Sequence, residues 1–320
     1  MTPSLSIRGL TVVLGTAAGP RPVLDGVSLD VAAGESRALV GESGGGKTLL
    51  ARAVLRLLPP AASVREGEVR VGGVDLLALP EREMRRRRGG AVGMVFQEPL
   101  SALDPVRSIG SQVADCVRRH AGSDPAAAKR RAISLLEEAG MPRAARRYDD
   151  PPHALSGGMR QRVVIAAALA GDPAVLIADE PTSSLDPPLA SQVLELVDRL
   201  RRDRGLALLH ITHDLKRAAA CDRVSVLYAG RVVEEASGEE FARSPRHPYA
   251  AALADSAAAS GGRLPVIPGR PPSLGERGEP RCAFAPRCAR VFSRCETDKP
   301  ELYAAGASRA RCFLYAPEAA

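Results

Sequence analysis

Apolar and polar residues alternate over positions 5–13 and again over 23–31, the period-two pattern of strands with one buried face. The turn-rich stretch 15–22 separates them, so the chain is expected to open as an antiparallel sheet. Residues 37–40 form a short apolar run that ends in a glycine cluster, and 48–58 then show helical spacing up to Pro59 and Pro60. Buried strands are expected at 174–178 and 206–212, with helices over 126–140 and 159–169. That alternation predicts an α/β fold in which helices cross over a sheet.

The pattern changes near Ser244. Pro245, Pro248, Pro265, Pro268, Pro271 and Pro272 interrupt regular structure, and four cysteines follow. A boundary is therefore expected close to 245, giving a main domain of 1–245 and an extension of 246–320. A chain of 320 residues exceeds what one compact core usually holds, which agrees with that division.

Composition narrows the function classes. Hydrophobic residues at 45% and charged residues at 25% are a globular balance, not that of a disordered chain. The longest strongly apolar stretch, 163–170, is far short of the roughly 18 residues that span a bilayer. The first ten residues lack the basic start, apolar run and cleavage site of a secretory leader, which implies a cytosolic location. A net charge of +7 suits nucleic acid, an anionic membrane surface or a nucleotide. Aromatics at 3%, with no tryptophan, argue against single-strand binding through stacked rings. The arginine run Arg82 and Arg85–Arg88 invites a nucleic-acid or lipid reading, a solvated turn beside a strand is the plainer alternative, and the run stays unassigned.

The chemistry begins at Gly41-Glu42-Ser43-Gly44-Gly45-Gly46-Lys47-Thr48, which fits G-x-x-x-x-G-K-[ST] between an expected strand and an expected helix. Glycines let backbone amides turn inward around phosphate oxygens, and the helix N-terminus adds partial positive charge. Lys47 would reach the β- and γ-phosphates of ATP, and the Thr48 hydroxyl would ligate Mg²⁺. Residues 175–178 form an apolar strand that delivers Asp179 and Glu180 together at its C-terminal end. Asp179 is suited to hold Mg²⁺, and Glu180 to accept a proton from the water that attacks the γ-phosphate.

Leu155-Ser156-Gly157-Gly158-Met159-Arg160-Gln161-Arg162 resembles the signature motif of ATP-binding cassette (ABC) ATPases. Neighbouring segments resemble that family in the same order: Gln97 its Q-loop, Ser184-Leu185-Asp186 its D-loop, and His213 its switch histidine. The resemblance covers about residues 5–245. It implies an ABC-type P-loop ATPase with an antiparallel β subdomain and a helical subdomain at about 98–165. Catalysis would fall to Glu180, His213 and Gln97, with Gln97 joining Thr48 and Asp179 around Mg²⁺. Head-to-tail pairing would let Ser156, Gly157, Gly158 and Gln161 cap ATP on a partner's phosphate loop, with Asp186 beside them. Departures are Leu14 where an adenine-stacking aromatic is common, Gly45 for serine, Ser184 for alanine, and Pro187-Pro188 after Asp186.

The segment 244–249, followed by 267–269 and 281–295, resembles the C-terminal extension of oligopeptide, dipeptide and nickel importer ATPases, and Met159-Arg160-Gln161-Arg162-Val163 with Ile177-Ala178-Asp179-Glu180-Pro181 resembles their D-type subunit best. The resemblance implies an ATP-hydrolysing subunit on the cytoplasmic face of the cell membrane. Its implied partners are a second, unlike ATPase, two transmembrane permease subunits and an extracytoplasmic solute-binding protein. The competing reading, a soluble cassette ATPase acting on nucleic acid, has the basic balance and Arg82–Arg88 in its favour, but a single uninterrupted cassette with an importer-like tail against it. A regulatory module that holds ATP without hydrolysis sits poorly with Lys47, Glu180 and His213 all present.

Cys282, Cys288, Cys295 and Cys312 are separated by five, six and sixteen residues, and no C-x-x-C pair occurs. Zinc sites usually use closer pairs. Four thiolates can also hold an iron–sulfur cluster, and the importer resemblance points to [4Fe–4S]. The expected role is structural, with Zn²⁺ or free thiols as alternatives, and a cytosolic location argues against disulfides.

Overall fold

The computed structural model describes residues 3–17, 19–258 and 267–317. The chain divides into two compact units, one made of Met1–Leu5, Val31–Glu35 and Arg70–Leu209, the other of Ser6–Asp30, Ser36–Val69 and His210–Ala320.

In the first unit, strands Val92–Val95 and Val175–Asp179 pair in parallel, with Val92 opposite Val175 and Val95 opposite Ala178. Both are buried along their whole length, as continuous apolar runs in a covered parallel sheet require. Helices Ile109–Ala121, Pro125–Glu138, Gly157–Ala168 and Pro187–Arg204 share one core that includes Val113, Leu135, Val163 and Val197. Local chemistry fixes their ends. Asp124 accepts the amides of Ala126 and Ala127 ahead of Pro125, and Gly205, at φ 63°, closes the helix that buries Val193, Leu196, Val197 and Leu200. No helix among the described residues is long and apolar enough to cross a membrane.

The arginine run departs from its expectation. It lies on a helix, Glu81–Arg87, with acids in the first turn and arginines in the last, the arrangement the helix dipole favours. Met84 anchors it by being fully buried, and the Glu81 carboxylate takes Arg88 at 2.6 Å and Arg85 at 3.4 Å.

In the second unit, strands Gly19–Val31, Leu5–Thr16 and Ala62–Val71 lie side by side in one sheet. Ser36–Val40 pairs in parallel with Arg223–Tyr228, which pairs antiparallel with Arg231–Ser237. Two C-terminal strands then extend this sheet: Ser308–Ala310 pairs with Arg231–Ser237, Glu234 opposite Ala310, and Tyr303–Ala305 follows. Helix Lys47–Val54 stops short of the expected 58, because Arg56 adopts a left-handed φ of 52°. The core joins Val40, Val226 and Phe241 to Tyr249 and Phe284 of the extension. The buried Glu234 carboxylate binds the chain's turn toward that extension by accepting the amides of Arg246 and His247.

Candidate functional site

The fully buried strand Ser36–Val40 delivers the chain into the phosphate loop. Gly41 stands at φ 152°, where a Cβ would lie 2.1 Å from the carbonyl oxygen of Leu227. Gly46, the residue before helix Lys47–Val54, has a left-handed φ of 106°, and a Cβ there would press to 2.7 Å from Leu24 Cδ2. Backbone contact and torsion together exclude other residues at Gly41, and the left-handed torsion does so at Gly46. The Lys47 amine, 6% exposed, donates to the carbonyls of Gly41 at 2.7 Å and Glu42 at 3.1 Å, so the cation is held inside the loop it serves. Ser43 and Gly44 are exposed at the crest, and Gly45 is buried, its amide donating to the Glu42 carbonyl at 3.1 Å.

Three side chains from the extension meet this loop. The Glu42 amide donates to the Tyr249 hydroxyl at 2.7 Å. Arg277 donates to the Gly44 carbonyl at 2.8 Å. Arg287 forms a two-pronged ion pair with the Glu42 carboxylate, both contacts at 2.9 Å. The sequence offered no signal for these contacts, since the partners are separated by more than 200 positions. In the same unit His213 is exposed just past strand Ala207–Ile211, where Thr212 Oγ1 accepts the Asp214 amide and Asp214 caps the next helix.

In the first unit Asp179 closes its strand with 2% of its surface exposed, while Glu180 is half-buried. Glu180 sits at φ 43°, a left-handed conformation that is costly for a residue with a Cβ. Gln97, exposed after strand Val92–Val95, donates from Nε2 to Glu180 Oε2 at 3.4 Å. Ser156 caps helix Gly157–Ala168, its hydroxyl accepting the Met159 amide at 3.4 Å. Gly158 is buried, and a Cβ there would meet Leu189 at 2.6 Å. Gln161 is fully buried, with neither amide atom hydrogen-bonded, so its side chain faces the core and not solvent. Asp186 is exposed at the start of helix Pro187–Arg204 without capping it through its side chain. Leu14, which stands in place of an adenine-stacking aromatic, is half-buried on strand Leu5–Thr16.

None of the extension's four cysteines forms a disulfide. Burial pushes the Cys282 thiol up to about 11, and the neighbouring Cys295 and Cys312 add to that rise. Burial likewise raises Cys312, with further contributions from Cys288 and Cys295. The expected metal centre finds no support in this arrangement. Among the described residues no group of three or more His, Cys, Asp or Glu could hold a metal ion.

Comparison with known proteins agrees with this geometry. Residues 24–183 match the family described as ABC transporter, and residues 233–295 match the oligopeptide/dipeptide transporter C-terminal region. The chain is 46% identical over 308 residues to the oligopeptide transport ATP-binding protein OppD of Mycobacterium tuberculosis, covering 94% of this chain and 50% of that protein. It thus spans half the length of that relative. It is 41% identical over 316 residues to a putative peptide import ATP-binding protein of Brucella melitensis, covering 94% of this chain and 93% of that one. Among solved structures, the dimeric ATP-binding cassette MJ0796 bound to ADP and Pi superposes with a TM-score of 0.65 at 27% identity, covering 73% of this chain and 98% of that one. CbiO1 of Clostridium perfringens, part of the transporter complex cbiONQ, gives 0.65 at 26% identity over 76% of this chain and 92% of that one.

The chain belongs to the ABC transporter ATPase family. Its C-terminal region places it, within that family, in the oligopeptide/dipeptide transporter group.

Proposed function

We propose that this chain hydrolyses ATP to power the import of peptides or closely related solutes through a membrane transporter. The observation that carries the reading is the joint presence of an intact phosphate loop, with Lys47 seated inside it, and an importer-type extension bonded to that loop. The names of the relatives support it: one is an oligopeptide transport ATP-binding protein and another a putative peptide import ATP-binding protein. The donors expected around Mg²⁺, the Thr48 hydroxyl, the Gln97 amide oxygen and the Asp179 carboxylate, are all hard oxygens of the kind that ion takes. When bound, Mg²⁺ would neutralise charge on the β- and γ-phosphates. Lys47 binds and orients those phosphates, and Glu180 accepts the proton of the attacking water. Gln97, hydrogen-bonded to Glu180, keeps its carboxylate in position. His213 would contact the γ-phosphate from beyond its strand end.

Ser156, Gly157 and Gly158 form a second anion-binding helix N-terminus in this reading, used by the ATP of a partner cassette. A cassette pair, two permease subunits and an external solute-binding protein complete the assembly, with this chain on the cytoplasmic face of the membrane. The test is uptake of labelled peptide by vesicles reconstituted with these subunits. Uptake that requires ATP and stops in Lys47→Ala supports the reading; full uptake without this chain overturns it.

The cysteines carry a finer reading. A single zinc ion needs four sulfurs about 2.3 Å from one centre, whereas a polynuclear cluster spaces its thiolates more widely. We propose [4Fe–4S] over Zn²⁺ on Cys282, Cys288, Cys295 and Cys312, with a structural role, because their separations along the chain suit a larger cluster better than the close pairs zinc usually takes. Anaerobic purification with iron, sulfide and zinc analysis decides between them: stoichiometric zinc without iron overturns the cluster.

A further inference from the structure

Arg287 is built into the second unit more deeply than any surface ion pair. Its side chain is 4% exposed, and all three guanidinium nitrogens are engaged. Nε donates to the Pro268 carbonyl at 2.8 Å, Nη1 to Glu42 Oε2 at 2.9 Å and Tyr228 Oη at 3.3 Å, and Nη2 to Glu42 Oε1 at 2.9 Å and the Ile267 carbonyl at 3.4 Å. The rings of Tyr228 and Phe284 lie 5.8 and 6.0 Å from its central carbon. A guanidinium with this many fixed acceptors has one orientation, and it presents both prongs to one carboxylate.

That carboxylate is on the phosphate loop. Glu42 is the first variable position after Gly41, and its backbone does two further things: its amide donates to Tyr249 Oη at 2.7 Å, and its carbonyl accepts from Lys47 Nζ at 3.1 Å. The fully buried Tyr249 packs against Tyr228 and Phe284, with ring centroids 4.4 and 5.5 Å away. The side chain and the amide of one loop residue are thus both clamped by the extension, and its carbonyl is a ligand of the phosphate-binding lysine.

We infer that Arg287, seconded by Tyr249, is a positioning residue for the phosphate loop: the extension sets the conformation in which the loop receives ATP. This rests on the ATPase reading above. Loops of this kind bind phosphate through backbone amides whose directions must be set in advance. An anchor at Glu42 removes torsional freedom that ATP binding would otherwise have to remove. Arg287 closes the short turn Ala285–Arg287 and directly precedes Cys288, so the order of the cysteine region bears on the loop through this side chain and through Phe284 packed on Tyr249.

The experiment measures ATP affinity of the full-length chain with a fluorescent ATP analogue, alongside thermal unfolding and steady-state hydrolysis in the assembled transporter. The variants are Arg287→Lys, Arg287→Met, Glu42→Gln, and Glu42→Gln combined with Arg287→Met. In Arg287→Met the dissociation constant and the KM for ATP are expected to rise on the order of tenfold, with kcat within about twofold. Glu42→Gln should weaken binding similarly, Arg287→Lys should recover part of the loss, and the double variant should be no worse than the poorer single one. Unchanged affinity in both Arg287→Met and Glu42→Gln overturns the inference, and so does a lowered melting temperature with normal affinity in the folded fraction. A parent chain that fails to bind ATP refutes the ATPase reading instead.

Discussion

Gln97 and Glu180 are joined by one hydrogen bond, Nε2 to Oε2 at 3.4 Å, and Glu180 makes it from a left-handed backbone at φ 43°. Such a conformation costs on the order of 1–3 kcal/mol in a non-glycine residue, so it persists only where the surroundings impose it. The buried strand Val175–Asp179 on one side and the turn from Glu180 to Ser183, closed by a backbone hydrogen bond at 3.2 Å, do so here. The carboxylate is aimed by the backbone before any ligand arrives.

Glu180→Gln keeps the shape and the contact to Gln97 but removes the proton acceptor. Turnover is expected to fall by about a hundredfold or more while ATP binding stays close to the parent value. Single-turnover hydrolysis measured beside equilibrium nucleotide binding checks this; a parent-like rate would remove Glu180 from the role of base.

Lys47→Ala acts on the other quantity. The buried amine holds the carbonyls of Gly41 and Glu42 and would exchange them for phosphate oxygens. Its removal is expected to weaken ATP binding on the order of tenfold or more, as loss of a charge-assisted contact does. Isothermal titration with ATP is the measurement, and unchanged affinity would contradict the role.

Ser156→Ala separates a cap from a ligand. Losing the hydroxyl that accepts the Met159 amide is worth about 1 kcal/mol to the helix, a fall of about 2–4 °C in melting temperature for a unit of this size. If Ser156 also caps a partner's ATP, hydrolysis in a cassette pair should drop by about a hundredfold at the partner's site. A pair in which only that partner site is competent gives the answer; a stability loss with full turnover would leave Ser156 as a cap alone.

Acid should loosen the second unit. Burial drives His247 down to about 3 and His210 to about 4, both below their ordinary 6.5. His247 Nδ1 accepts the Tyr249 amide at 3.0 Å, so protonation there would set two donors against each other. Because the folded values lie below the unfolded one, the unfolded chain binds more protons and stability falls as pH drops below about 6.5 toward 3. His247→Gln should flatten that dependence by about one proton. Melting temperatures from pH 7.5 to 4.5 test it, and an identical slope in parent and variant would count against His247.

The phosphate loop's place between strand and helix was legible in the sequence because such a loop is contiguous: strand, glycines, Lys47 and Thr48 must follow one another for the amides to converge. Asp179 and Glu180 were legible as an apolar run that ends in acids. The strands expected at 174–178 and 206–212 occur one residue shifted or trimmed, as Val175–Asp179 and Ala207–Ile211. Arg287 was not legible. Nothing near it indicates a partner 245 positions away, and an arginine beside a cysteine reads as surface until the fold brings Glu42 to it. The helix Glu81–Arg87 was missed for a different reason: its single buried residue, Met84, gives no periodicity to detect.

The pairing of Ser308–Ala310 with Arg231–Ser237 has a practical consequence for anyone who shortens this chain. Without its last twenty residues, the strand 231–237 would expose a row of unsatisfied amides and carbonyls, a template on which another molecule can lay a strand of its own. Such a truncation would tend toward self-association and precipitation, and its inactivity would report a sticky border, not a lost catalytic group. Dissection of the C-terminal region therefore calls for point substitutions in the untruncated chain.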